Sequence, residues 1–365
     1  MPLVVNSAIS GESPRLFGRR QSGRSQTVGW LALLCGTLAA CGPTPAPQLE
    51  VTGPTMGTYY AVKVVQPPAG LDTVVLRAGV EQVLAAVIAE ISTYDSESEL
   101  SRLNRNPSTD WVLVSANLYR VIAAGQRISA LSGGAFDVTV GPLVNLWGFG
   151  PEERLDAVPA PEQVRAALER VGYGKLELRA DPPALRKQRG DIYIDLSALG
   201  EGYGADRVAA YLDGLGATHY MAAIAGTMRV RGTNAKRRPW GIAVEQPTPG
   251  QQAVQRILPV TDQAVSTSGD YRNFFEADGQ HFSHHIDPKT GSPVAQRLAS
   301  TTVILPSGAD SAMVADGFAT ALLVLGEQRG PALAESQRIA AYFIIRDNAG
   351  FREQTSTAFE RLQAP

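Results

Sequence analysis

The chain has little cysteine, little histidine and almost no net charge, and each scarcity narrows what it can be. Among 365 residues only Cys35 and Cys41 are cysteines, both near the N-terminus. Neither a disulfide framework nor a cysteine-based zinc site can therefore support the body. Lys and Arg together number 33 against 35 Asp and Glu, a formal charge of −2. That balance gives no electrostatic case for nucleic acid or a polybasic membrane contact. The N-terminal apolar run Val28–Ala40 is too short to span a bilayer as a conventional helix. What remains, with 44% hydrophobic residues, fits an ordinary globular body of one or two domains with a sizeable core.

The N-terminus reads as a targeting segment. Arg15, Arg19, Arg20 and Arg24 precede the apolar run, the order of a secretory signal. The run ends in Leu38-Ala39-Ala40-Cys41, which resembles the lipobox of bacterial lipoproteins. The resemblance implies a signal peptide over 1–40, cleavage before Cys41 and a lipid on that cysteine; an ordinary signal peptide holding a chance cysteine is the alternative. Pro43, Pro45 and Pro47 make Gly42–Gln48 an extended stretch, so 41–50 reads as a lipidated cysteine and tether. The body, 51–360, is then expected to be exported and membrane-anchored, facing the periplasm.

Asp191–Asp206 organises the body. Asp191–Leu196 alternates in a strand pattern and Tyr203–Leu215 has helical spacing, with Gly200, Gly202 and Gly204 between them. A glycine-rich turn at a helix start can cradle phosphate, or can be only a tight turn. Asp195 and Glu201 would repel a bare pyrophosphate, so a phosphate here calls for a bridging cation. Elsewhere the pattern predicts helices over Leu71–Ile91, Asn117–Leu131, Pro161–Val171 and Ser311–Leu325. It predicts strands over Tyr59–Val65, Ala135–Val140, His219–Ile224, Met228–Gly232, Pro239–Glu245, Ala253–Pro259 and Ser300–Leu305, with Arg338–Ile345 last. Asp181–Arg189 and Ala264–Arg272 read as polar loops. This order, rich in hairpins, favours one α+β body of mixed, largely antiparallel sheet with packed helices.

Two clusters stand out. His281, His284 and His285 lie in a stretch where Gly279, Pro288 and Gly291 argue against a helix. On a strand, His281 and His285 share one face and His284 points the other way with Ile286, which disfavours a zinc triad and leaves His284 as the candidate for chemistry. Asp316 and Thr320 are i and i+4 on a predicted helix. They either face one spot as hard oxygen ligands for Mg²⁺ or serve only solvent and backbone.

Taken together, Gly133–Gly150 (GGAFDVTVGPLVNLWGFG), Asp195–Asp206 (DLSALGEGYGAD), Ser266–Arg272 (STSGDYR) and Ser283–Gly291 (SHHIDPKTG) resemble the ApbE family of FAD:protein FMN transferases. The likeness runs from Thr52 to about Ala358. It implies Mg²⁺-dependent transfer of FMN from FAD to a Thr or Ser hydroxyl of an acceptor flavoprotein, such as a subunit of a membrane redox complex, through a phosphoester bond and with release of AMP. An FAD pyrophosphatase giving FMN and AMP, or a non-enzymatic flavin-binding lipoprotein, are the competing readings. The resemblance implies FAD contacts at Met56, Tyr94, Ala135, Phe136, Asp137, Asp195, Glu201 and Ile286. It implies Mg²⁺ ligands at Ala198 (backbone carbonyl), Asp316 and Thr320. His284 is implied as the base, with Asp287 orienting it or acting itself. Ala319 stands where some relatives have a further aspartate, and Ala225-Gly226 where relatives commonly have Gly-Gly.

Overall fold

The computed structural model describes residues 44–151, 158–248, 250, 253–277 and 279–363. The signal peptide expected over 1–40 and Cys41 lie outside the described residues. An eight-stranded sheet forms the centre, its strands following one another in space as they do in the chain. They are β1 (Gln48–Thr55), β2 (Thr58–Val65), β3 (Tyr220–Ile224), β4 (Thr227–Arg231), β5 (Gln263–Gly269), β6 (Leu298–Pro306), β7 (Ala340–Asp347) and β8 (Gly350–Thr355). Every neighbouring pair is antiparallel. The expected α+β architecture is therefore observed, and this sheet is wholly antiparallel.

Strand alternation divides the core. Tyr220, Ala222 and Ile224 face one side with Val62 and Val64, whereas Met221 and Ala223 face the other with Trp240, Ile242 and Leu258, the period of two a pleated strand requires. On the first side lie helices α1 (Thr73–Ile91), α2 (Ala116–Leu131), α3 (Ser197–Gly214) and α4 (Ser311–Gln337). Helix α1 starts where Asp72 accepts from the amides of Val74 and Val75, a side-chain cap for orphan N–H groups. It buries Leu76, Val80, Leu84, Val87 and Ile91, the stripe visible in its sequence. On the second side sits the hairpin Trp240–Glu245/Val254–Val260. Among the described residues no helix is long and apolar enough to cross a membrane.

Several local expectations are corrected. Asp191–Leu196 is extended and buries Ile192, Ile194 and Leu196, yet it joins no sheet. The Asn104 side chain takes the place of a partner strand, donating to Ile194 O and accepting from Ile194 N, both at 2.8 Å. The glycines that follow form no phosphate-cradling turn: α3 already runs through Gly200, Gly202 and Gly204. Ala135–Val140 forms turns ahead of the short helix Gly141–Leu146, because Asp137 turns back onto the amide of Thr139. Ala264–Arg272 is not a loop, since most of it is β5 in mid-sheet. Asp181–Arg189 contains the strand Ala184–Lys187. The sheet begins at Gln48, inside the stretch read as tether, and Arg338–Ile345 is not the last strand, because β8 follows β7. The expected stop at Gly326, by contrast, is found: the helix breaks there (φ 79°, ψ −175°), and a second helical stretch, counted here with α4, runs on to Gln337.

Helices α3 and α4 cross with their backbones nearly touching. A Cβ at Gly202 would overlap the Ala312 carbonyl, and one at Gly317 would collide with Ile128 and Leu199. Helix α4 has no side-chain cap of its own; instead Asp206 of α3 accepts from the Met313 amide at 2.9 Å. Gly202→Ala should therefore cost about 3 kcal/mol, the upper range for overpacking, since both clashing groups are backbone. A urea denaturation midpoint close to that of the unmodified protein would contradict this account of the crossing.

Candidate active site

A cavity of about 620 Å³ opens where the β1–β2 turn, the start of α3, the β3–β4 turn, the end of β5 and the middle of α4 converge. Met56, Tyr94, Ala135, Phe136, Asp137, Asp195, Ala198, Glu201, His284, Ile286, Asp316 and Thr320 all line it. Residues more than 250 positions apart in the chain meet there only because the sheet and the α3–α4 crossing carry them.

The acids do different work. Asp137 is buried and engaged: Oδ1 accepts from the amide and hydroxyl of Thr139, and Oδ2 from the amide of Tyr173 at 2.7 Å. Burial still pushes its carboxyl up. Asp195 accepts from the Ser197 amide at 2.8 Å and so steadies the first turn of α3. Asp316 lies deepest. Its Oδ2 accepts from the Gly202 amide at 3.0 Å, and its Oδ1 from the hydroxyls of Ser266 and Thr227 at 3.1 and 3.2 Å. In an α-helix the Gly202 amide belongs to the Ala198 carbonyl, so Asp316 and Ala198 O converge on one group. Thr320 Oγ1 is 3.2 Å from Ser268 Oγ.

Glu201 accepts from the Gly226 amide, and burial, with Asp316 nearby, pushes its carboxyl up to about 8. Burial likewise raises Asp316. Asp316, buried, and Glu201, half-buried, share the cavity lining with Ala198 and Thr320; with no basic side chain bonded to either acid among the described residues, they offer an all-oxygen donor set. Their chemistry fits a small hard cation such as Mg²⁺.

His284 lines the cavity as expected, but the face assignment around it fails. The strand ends at Ser283, so strict alternation stops there. His285 is the buried ring, and it also lines the cavity. His281 is exposed and its Nε2 sits 3.1 Å from Asp270 O. His284 Nδ1 lies 3.0 Å from Asn273 O. A carbonyl only accepts, so Nδ1 carries the proton and Nε2 keeps its lone pair. Burial holds the His284 imidazole below its usual range, against weaker support from Asn273 and Asp270.

Asp287 is not brought to His284. Its Oδ1 accepts from the Lys289 amide at 2.9 Å, capping its own turn, and the residue is absent from the cavity lining. The orienting group is the Asn273 carbonyl, which the sequence could not indicate because any residue supplies one. Phe149, inside the motif GGAFDVTVGPLVNLWGFG, lines the cavity too; the sequence singles out neither Glu245 and Arg272, which also line it, nor Thr227 and Ser266, which hold Asp316. Only STSGDYR, noted as a motif, pointed towards Ser266 and Arg272.

One wall rests on a separate apolar cluster. Trp147 stacks on Phe282 at 5.5 Å, Phe282 on Phe275 at 5.1 Å, and Trp147 Nε1 donates to Gly291 O at 2.8 Å. Such contacts fix a wall beyond their area burial.

Fold and cavity define a class: an antiparallel α+β protein whose large, acid-rich, aromatic-braced pocket is suited to a cation and an extended ligand. The chain belongs to the ApbE family, whose family model matches residues 56–343. It is 43% identical over 332 residues to an FAD:protein FMN transferase of Vibrio cholerae, covering 91% of this chain and 98% of that protein. It is 41% identical over 331 residues to one of Haemophilus influenzae, covering 89% and 94%. Among solved structures, flavin transferase ApbE from Vibrio cholerae superposes with TM-score 0.80 at 42% identity, over 87% of this chain and 99% of that one. The apo form of flavinyl transferase ApbE from Pseudomonas stutzeri gives 0.78 at 39%, over 87% and 97%.

Ala225 stands in the turn between β3 and β4 with φ 46°, a left-handed conformation. Ala225→Gly should stabilise the protein by about 0.5–1 kcal/mol, the relief of ~1–2 kcal/mol of strain less the ~0.5–1 kcal/mol of unfolded-chain entropy a glycine adds. Urea denaturation at constant m-value measures this; a destabilised variant would mean that the methyl group makes contacts worth more than the strain.

Proposed function

We infer that the protein is a transferase moving FMN from FAD to the hydroxyl of a Thr or Ser in an acceptor flavoprotein. The observation that carries this reading is the convergence of the flavin, metal and base residues of the family pattern on one cavity. In the reaction the hydroxyl oxygen bonds to the FMN phosphorus, the bond from that phosphorus to the bridging oxygen breaks, and AMP leaves with that oxygen. The hydroxyl proton goes to Nε2 of His284, which Asn273 holds in the right tautomer and burial keeps neutral. Met56, Tyr94, Ala135, Phe136, Asp137, Asp195, Glu201 and Ile286 bind and orient the dinucleotide. Asp316, Thr320 and the Ala198 carbonyl would hold Mg²⁺. When bound, the ion supplies Lewis-acid stabilisation of charge developing on the phosphoryl oxygens.

An exported acceptor, a redox subunit with an exposed Thr or Ser, completes the proposal, as do a lipid on Cys41 and a periplasmic, membrane-anchored location. Incubating the protein with FAD and Mg²⁺, with and without a flavoprotein acceptor, separates the readings. Covalent flavin on the acceptor plus AMP supports transfer. AMP and free FMN without acceptor supports hydrolysis, and unchanged FAD supports carriage only.

Asp316→Ala should lower Mg²⁺-dependent AMP release by about 100-fold or more; full activity at ordinary Mg²⁺ would overturn the metal assignment. His284→Ala should lower transfer by ~10²–10⁴, whereas Asp287→Asn, which can still accept from the Lys289 amide, should retain it. Because burial lowers the His284 pKa from its usual 6.5, the base form persists into mild acid. The acid limb of kcat/KM should therefore have its midpoint below that value; a midpoint above it would exclude His284 as the titrating base.

A further inference from the structure

We propose that Arg272 is the protein's own phosphate-binding cation, held by Glu245 until a phosphate-bearing ligand takes it over. The proposal rests on the FMN-transfer reading and adds to it the group that meets the pyrophosphate. Asp137, Asp195, Glu201, Glu245 and Asp316 all line the cavity, and among the described residues that line it Arg272 is the one Lys or Arg. A pyrophosphate entering so acidic a space needs countercharge. A cation at Asp316 and Thr320 answers the carboxylates at the floor, and Arg272 is left to answer the phosphate.

Its position suits that task. Arg272 Nη2 lies 2.6 Å from Glu245 Oε2, and its guanidinium stands 5.9 Å from the Tyr271 ring centroid. The Arg272 side chain is 55% exposed and that of Glu245 27%, so the pair sits at the open rim and either partner can be rehydrated. The next residue, Asn273, accepts through its carbonyl from both the backbone amide and Nδ1 of His284. Arg272 is thus one residue from the anchor of the base, and Arg272, Asn273 and His284 all line the one cavity. A planar guanidinium presents two parallel N–H groups to phosphate as it does to carboxylate. Ligand binding then exchanges one ion pair for another: Glu245 returns to water and Arg272 turns to the phosphate.

Equilibrium titrations with FAD and with riboflavin, which lacks phosphate, test this at fixed Mg²⁺ by flavin fluorescence. Arg272→Ala should weaken FAD binding by about 10- to 100-fold, the range for a charge-assisted hydrogen bond, with riboflavin affinity within about twofold of the unmodified protein's. Glu245→Gln should bind FAD as tightly as the unmodified protein or more tightly, because the competing carboxylate is gone. A merely structural ion pair gives a different pattern, in which both substitutions weaken binding. The proposal is overturned if Arg272→Ala leaves FAD affinity unchanged, if it weakens riboflavin equally, or if Glu245→Gln weakens FAD alongside it. Should Arg272→Ala not fold, Arg272→Gln carries the same comparison. Failure of the unmodified protein to bind FAD would instead refute the FMN-transfer reading itself.

Discussion

A reciprocal exchange between two helices holds the structure in its working form. Asp206 of α3 accepts from the Met313 amide of α4, and Asp316 of α4 accepts from the Gly202 amide of α3. Each carboxylate is buried on the partner helix's backbone, which is possible only because Gly202 has no Cβ to keep the Ala312 carbonyl away. Burial is costly: it pushes the Asp206 carboxyl up to about 7 despite amides and Arg229 that favour the charged form. A carboxylate at a helix N-terminus is favourable, and Asp206 supplies that role for α4 from another element. One crossing therefore sets the start of α4, the depth of Asp316 and the nearness of Asp316 to Ala198 O.

The sheet supplies the opposite wall by similar economy of space. Strand β5 is built of small polar residues because its hydroxyls meet α4. Ser266 and Thr227 lie 2.7 Å apart and both donate to Asp316 Oδ1, Ser268 meets Thr320, and Thr267 meets Thr302 at 2.8 Å. Larger apolar residues there would leave the buried Asp316 Oδ1 without a partner, with only Oδ2 still held by the Gly202 amide, and an unsatisfied buried carboxylate oxygen is costly. The tight turns at the rim follow the same logic. Met56, Gly57 and Ala225 all have positive φ and all line the cavity, so two tight turns bring backbone up to the space a ligand would fill.

These features explain what could and could not be read from the chain. Helix α1 was legible because a single apolar stripe runs its whole length. Asp191–Leu196 carries a true strand pattern, but a pattern reports burial, and the hydrogen bonds come from the Asn104 side chain 90 residues earlier. The glycines of α3 suggested a loop because glycine is a poor helix former; their reason is a helix packed across them, which no local window contains. Strand β5 looked like a loop because its Ser and Thr serve a partner 50 residues away. The site was legible through long contiguous motifs, and Asp287 was misjudged because proximity in sequence does not say which way a carboxylate turns. Asn273 and Glu245 act through a backbone carbonyl and a rim ion pair, neither of which leaves a pattern.

The segment from Ser266 to Asn273 joins the two chemical halves of the cavity. At one end Ser266 and Ser268 hold Asp316 and Thr320, the oxygen donors of the candidate cation site. At the other, the Asn273 carbonyl fixes the proton of His284 on Nδ1 and so frees Nε2. Strand β5, paired by β6 throughout and by β4 over Gln263–Ser266, fixes the Ser266–Ser268 end, and the turn that leaves it at Gly269, tied by the Asp270 amide to Ala299 O, carries Asn273 to His284. A cation held at Asp316 and Thr320 and the base at His284 would act on the same phosphorus from different directions, and a misplacement of about 1 Å is enough to cost ~10²-fold in rate. A strand position is more exactly held than a loop. That requirement accounts for a run so unlike an ordinary strand in composition lying in the middle of the sheet.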